Sequence, residues 1–167
     1  RFRVLYAGTI GRAHPMKAVL EAAEHLSIHP EIEFVFVGEG ASHDRLAAER
    51  AKRGLENIKL MPFQPASHLK ELMESGDVHL VSARDDTAGL LVPSKFYSAI
   101  AAARPTIYIG PAETEVGRVI RDYGCGAIIP QGDGKTLAQA ILYFRNDPEA
   151  WFNAQQGAIA AATDFRP

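Results

Sequence analysis

Two short stretches of the chain hold residues whose types and spacing could do chemistry together. In "GTIGRAHPMK", Gly8 and Gly11 let the backbone approach a bulky anion with no side chain in the way, and Arg12 and Lys17 place two cations on the same loop and helix start. Such a set suits a phosphate or diphosphate, which is held by free amides and fixed positive charge. The spacing is not the Gly-x-Gly-x-x-Gly of a dinucleotide site, and the Gly-Lys-Ser/Thr of a phosphate loop is absent. On spacing alone the plainer account, turn glycines beside two solvated surface charges, is favoured.

The second stretch is "GLLVPSKFYSAIAAARPTI", from Gly89 to Ile107. Pro93 suits a helix entry, Ser94 sits in or caps the first turn, and the free amides there attract anions together with the helix dipole. Lys95 is oddly placed, because a cation near a helix N-terminus is mildly disfavoured unless an anion binds between it and the amides. The alanines that follow make a slim helix able to pack tightly on a sheet. A well-capped buried helix with an incidental lysine explains the same residues equally well.

Other polar residues carry less. His14 before Pro15 is a loop histidine of the kind usually found solvated. Asp85 and Asp86 could accept sugar hydroxyls, although adjacent acids in a polar loop are more often solvated. Glu113 and Glu115 stand where carboxylates stabilise a helix start. The six histidines are scattered without ligand spacing, and the single cysteine, Cys125, excludes both an internal disulfide and a multi-cysteine metal site. No metal site and no catalytic nucleophile are nominated.

The elements that must position these residues follow from pattern. Short runs rich in Val, Ile and Phe alternate with longer segments of helical period, as expected where helices cover both faces of a parallel sheet. The predicted strands are Arg3 to Ala7, Ile32 to Val37, Ile58 to Met61, Val78 to Val81, Thr106 to Ile109 and Ala127 to Ile129. Predicted helices run near Met16 to Leu26, Ser42 to Arg53, Ser67 to Glu74, Ser94 to Ala103, Glu115 to Arg121, Lys135 to Arg145 and Glu149 to Ala162. This alternation calls for an α/β fold: a doubly wound, Rossmann-like, six-stranded parallel sheet with right-handed crossovers. In such sheets ligands collect beyond the carboxyl ends of the strands, at the reversal of winding, so both anion-suited stretches fall on the ligand edge.

At 167 residues and 47% hydrophobic content, the chain reads as one domain over residues 1–167. A net charge of -2 gives no footprint for nucleic acid, and no apolar run reaches the roughly 20 residues of a membrane span. The first residues, "RFRVLYAG", already read as a strand, so the expectation is a piece of a longer protein whose remainder lies before Arg1.

The serial order of "GTIGRAHPMKAVLEAAEHL", "FVFVGEGASHDRLAAERAKRGLENIKLMPFQPASHLKELMESGDVHLVS", "VPSKFYSAIAAARPTI" and "EVGRVIRDYGCGAIIPQGDGKTLAQAI" resembles the C-terminal, nucleotide-sugar-binding half of retaining GT-B glycosyltransferases of family 4. The likeness runs from about Val4 to about Leu142. It implies a nucleoside diphosphate sugar as donor substrate, no metal or other cofactor, and a saccharide or lipid-linked acceptor presented by a separate N-terminal domain. By the same likeness Gly8 and Gly11 face the diphosphate, Arg12 and Lys17 neutralise it, and Ser94 and Lys95 lie at the helix end that holds the phosphates. The segment from Met61 to Gln64 borders the base, with Phe63 and Gln64 nearest.

The chain departs from the family at two positions. Many members carry glutamates where this sequence has Leu90 and Ser98, the later one holding the ribose hydroxyls, so the ribose contact falls to Ser98 or to an acidic loop residue. The "PSK" form resembles a subgroup of bacterial surface and exopolysaccharide assembly, which implies a cytoplasmic location, with peripheral attachment to the inner membrane face left to the missing domain. The alternatives are a UDP-sugar 2-epimerase-like domain and a non-catalytic nucleotide-binding or flavodoxin-like module. The latter expects paired acids after the first strand, where this chain has glycine.

Overall fold

In a computed structural model of the chain, the structure describes residues 1–7, 16–83 and 94–165. Strand β1 (Phe2–Ala7) precedes helix α1 (Met16–His25), then β2 (Ile32–Val37), α2 (Ala41–Arg53) and β3 (Ile58–Met61). A 3-10 turn (Ala66–His68) leads into α3 (Leu69–Ser75), followed by β4 (Val78–Ser82), α4 (Ser94–Ala101) and β5 (Thr106–Ile109). The chain continues through α5 (Glu115–Tyr123), β6 (Gly126–Ile129), α6 (Gly134–Asn146) and α7 (Pro148–Asp164).

The strands form one six-stranded sheet in the order β3-β2-β1-β4-β5-β6, and every pairing is parallel. Winding therefore reverses between β1 and β4, where Val4 pairs with Val78 and Leu5 with His79. The residues that pack each face follow the strand period of two. Val4, Tyr6, Phe34 and Phe36 point into a core closed by α1 and α6, whereas Leu5, Val35 and Val37 pack under α3. Val81 and Tyr108 on that second face meet Phe96 and Ile100 of α4 together with apolar residues of α5 and α7. Burial from both sides is why β2 is buried at all six positions, Glu33 included.

Glu33 is tolerated there because Arg1 and Arg3 donate to its two oxygens at 3.0 and 2.8 Å. Burial alone would raise its pKa, but the hydrogen bonds and charges of the two arginines hold it below the usual value. The pair fixes the amino edge of the sheet, opposite the ligand edge.

Helix ends explain where the observed elements depart from the predicted ones. Asp133 and Asp147 accept from the amides of Thr136 and Ala150 at 2.9 and 3.0 Å, so α6 and α7 begin one residue earlier than expected. After Pro65 the chain makes a 3-10 turn before α3, where the expectation was a helix from Ser67. Helix α4 stops at Ala101, short of the expected Ala103, because Ala103 adopts a left-handed φ of 59°.

Amides of Ala103 and Arg104 then return to the carbonyls of Ile100 and Ala99, the paired bonds of a Schellman ending with alanine in the place glycine usually takes. The Arg104 guanidinium holds this end. It donates to the carbonyls of Ala102 and Ala103 behind α4 and to those of Glu74 and Gly76 at the end of α3, all between 3.0 and 3.2 Å. One cation thus ties the carboxyl ends of α3 and α4 together and satisfies carbonyls that the helices leave over.

Candidate functional site

Lys95 occupies the first turn of α4, on the face of the sheet opposite to the Tyr6 side chain, yet its Nζ donates to the Tyr6 hydroxyl at 3.0 Å. The same nitrogen lies 4.2 Å from the Tyr6 ring centroid. To make both contacts the lysine crosses the carboxyl edge of the sheet, where β1 and β4 diverge. A fixed cation therefore stands at the topological switch point, the place where doubly wound sheets take their ligands.

Beside it a cavity of about 160 Å³ opens between α3 and α4 above β4. Ala7, Ser94, Lys95, Ser98, Met73 and His79 are among the residues that line it. The amides of the first turn of α4 point toward this edge, since helical geometry leaves them without intrahelical acceptors. The lining combines the α4 cation and hydroxyls with the apolar side chains of Leu69, Met73, Leu80 and Val81. A larger hollow of about 340 Å³ lies at the opposite edge among Arg1, His29, Glu33 and Lys59, but there the acid is already neutralised by Arg1 and Arg3.

The predicted site residues separate into four groups. Ser94, Lys95 and Ser98 come together on one wall of the cavity. Lys17 is exposed in the first turn of α1, which follows β1 and so starts at the same edge. Phe63 stands 47% exposed beyond β3, while Gln64 turns its amide back onto the Pro62 carbonyl at 2.9 Å and lines a different hollow with His68 and Leu72. Gly8, Gly11 and Arg12 lie outside the described residues, as do His14, Asp85, Asp86 and Leu90. Glu115 accepts from the Tyr97 hydroxyl at 2.9 Å; burial first, then this carboxylate, pushes the Tyr97 pKa up to about 12. Among the described residues no group of three His, Cys, Asp or Glu side chains converges on a metal-sized site, and no helix is long and apolar enough to cross a membrane.

Two residues of this region were not singled out from sequence, Tyr6 and His79. The available signal for Tyr6 was a polar-tipped aromatic one residue before the end of the strand, directly after the apolar Val4 and Leu5. His79 is 3% exposed, and its Nε2 lies 2.8 Å from the Met73 carbonyl, which can only accept, so that nitrogen carries the proton. Burial pushes its pKa down to about 4, and the nearby Arg104 charge adds to the shift while the Met73 bond opposes it.

The unfolded chain therefore binds a proton near the ordinary value of 6.5 that the folded chain refuses until about pH 4. Stability is full above the upper value and is lost as pH falls across this window, by about 3 kcal/mol in all. His79→Gln, which keeps a donor for Met73 but cannot titrate, is expected to flatten this dependence in urea unfolding from pH 7 to pH 4. An unchanged pH slope in the variant would contradict the assignment.

Residues 1–162 match the family model described as glycosyl transferases group 1. The chain belongs to that family. Among relatives, the colanic acid biosynthesis glycosyl transferase named WcaI of Escherichia coli K12 is 33% identical over 120 residues, covering 72% of this chain and 29% of that protein. A glycosyltransferase named WbjE of Pseudomonas aeruginosa is 27% identical over 136 residues, covering 81% of this chain and 34% of that one. This group 1 chain thus spans about a third of the length of these relatives.

Solved structures share its fold at lower identity. Anabaena HepE, solved with UDP and glucose, superposes with a TM-score of 0.77 at 17% identity, covering 98% of this chain and 44% of that one. The pneumococcal O-GlcNAc transferase GtfA, solved with UDP and GlcNAc, gives a TM-score of 0.74 at 18% identity, covering 98% and 32%. These superpositions show the shared fold, a GT-B-type Rossmann-like architecture, and at this identity the fold alone.

Proposed function

We propose that this chain is the donor half of a retaining glycosyltransferase, holding a nucleoside diphosphate sugar for transfer to a saccharide or lipid-linked acceptor in bacterial surface polysaccharide assembly. The observation that carries the reading is Lys95, fixed across the switch point beside the first turn of α4. The WcaI relative, named for colanic acid biosynthesis, supports the polysaccharide assignment, as does the "PSK" segment at Pro93, Ser94 and Lys95. The HepE and GtfA structures, solved with UDP, make UDP the first nucleotide to try.

In glycosyl transfer the bond between the sugar carbon and the diphosphate oxygen lengthens, and negative charge grows on the departing diphosphate. Donors and cations already in place at that oxygen lower the barrier because they need not reorganise. Lys95 and the α4 amides hold this position in our reading, with Lys17, Arg12 and the backbone at Gly8 and Gly11 completing it. Fixed cations then neutralise the leaving group where other transferases use a metal ion. Ser98 faces the ribose, and Phe63 with Gln64 borders the base. The acceptor would be presented by a further domain, through which the enzyme would sit at the inner face of the membrane.

Thermal unfolding of the chain with UDP, GDP, ADP and dTDP at millimolar concentration tests the reading, because a ligand bound to the native state alone raises the midpoint. One nucleoside diphosphate is expected to raise it by several degrees, and its parent nucleoside by far less. No shift with any of the four would remove the donor assignment.

A further inference from the structure

Tyr6 is 1% exposed and packs its ring against Phe36, with centroids 5.5 Å apart, inside the core beneath α1 and α6. Phe34 and Phe36 show that this face accepts phenylalanine readily, so packing alone gives no reason for a hydroxyl at position 6. The hydroxyl is the part of Tyr6 that meets the cation from α4, at 3.0 Å. A buried phenol that ends in a polar tip finds a partner, and here one arrives from the opposite side of the sheet.

For Lys95 the contact answers a different difficulty. A lysine carries four rotatable bonds, and an anion that recruits it from solvent must freeze them. Its place in the first turn of α4 also sets its charge against the helix dipole. The Tyr6 oxygen and ring face together hold the ammonium at one point over the β1–β4 divergence. The ammonium has three N–H donors, and the bond to Tyr6 uses one of them.

We propose that Tyr6 is a positioning residue for the donor site: its hydroxyl fixes the Lys95 ammonium over the switch point, so that the diphosphate meets a cation already in place. The inference rests on the diphosphate reading and adds to it a residue that never touches the donor. Its signature is coupling. Removing the hydroxyl weakens diphosphate binding only through Lys95, and the nucleoside moiety does not sense the change.

Calorimetric titration of UDP, or of whichever diphosphate binds best in the thermal test, together with its parent nucleoside, separates the possibilities in a cycle of Tyr6→Phe, Lys95→Ala and the double variant. Tyr6→Phe keeps the ring and its packing, and its thermal midpoint is measured alongside. The expected result is a 5- to 10-fold loss of diphosphate affinity in Tyr6→Phe, unchanged nucleoside affinity, and a double variant within twofold of Lys95→Ala alone. Losses that multiply in the double variant, a matching loss for the nucleoside, or no loss in Tyr6→Phe would overturn the positioning role while leaving the diphosphate reading intact. Undiminished affinity in Lys95→Ala would overturn that reading itself, and the role of Tyr6 with it.

Discussion

Lys95→Ala is expected to weaken nucleoside diphosphate binding by about 10- to 100-fold while leaving the fold intact. The estimate follows from the kind of bond removed. A hydrogen bond to a charged group is worth about 1.5–3 kcal/mol, and an ammonium facing a diphosphate is charged on both sides. Lys95 is only half-buried, so screening by solvent keeps the effect away from the dry-interior limit. Stability falls by about 1 kcal/mol, the net worth of one hydrogen bond, because the bond to the buried Tyr6 hydroxyl is lost while an unfavourable helix-dipole contact is relieved. Calorimetry with the diphosphate and its nucleoside reads both arms. A loss of less than threefold for the diphosphate would mean that the ammonium does not meet the phosphates.

Phe96→Ala is expected to be the most destabilising single substitution near the site, by about 3–5 kcal/mol. Phe96 is fully buried among Val81, Tyr108 and Ile100, and its ring meets that of Tyr97 edge-on at 5.5 Å. It is the side chain that fastens the first turn of α4 to the sheet, one residue beyond Lys95. The neighbouring buried position on this helix, Ala99, has no bulk to move inward, so the cavity left by Phe96 stays largely open. Urea unfolding measures the loss directly. A change below 1 kcal/mol would show that α4 is held by something other than this anchor, and that the placement of Lys95 does not depend on it.

The strands were legible from sequence because a parallel sheet covered on both faces favours near-continuous apolar runs. The runs at Ile32–Val37, Ile58–Met61 and Thr106–Ile109 coincide with the observed strands residue for residue. Helix ends were less legible, since caps decide them locally. The left-handed turn at Ala103 lacks the glycine that would have announced it, and the 3-10 turn before α3 lies hidden behind Pro65.

Of the site, the part carried by one element was readable. Pro93, Ser94 and Lys95 announce a helix start suited to an anion, and Ser94, Lys95 and Ser98 do share a cavity wall. The part made by topology was not. Tyr6 and Lys95 are separated by 89 positions and belong to opposite faces of the sheet, and no periodicity within either segment links them. Only the strand order, which sets β1 beside β4, brings the hydroxyl and the ammonium together. His79 was hidden for a related reason: an isolated histidine in a strand reads as neither core nor ligand until the helices on either side of it are placed.

A crystal structure of the chain with the tightest-binding nucleoside diphosphate tests the central claim most directly. The diphosphate should lie over the β1–β4 divergence, with an oxygen about 3 Å from Lys95 Nζ and another facing the first-turn amides of α4. A nucleotide bound at the amino edge, or with its phosphates turned away from α4, would contradict it.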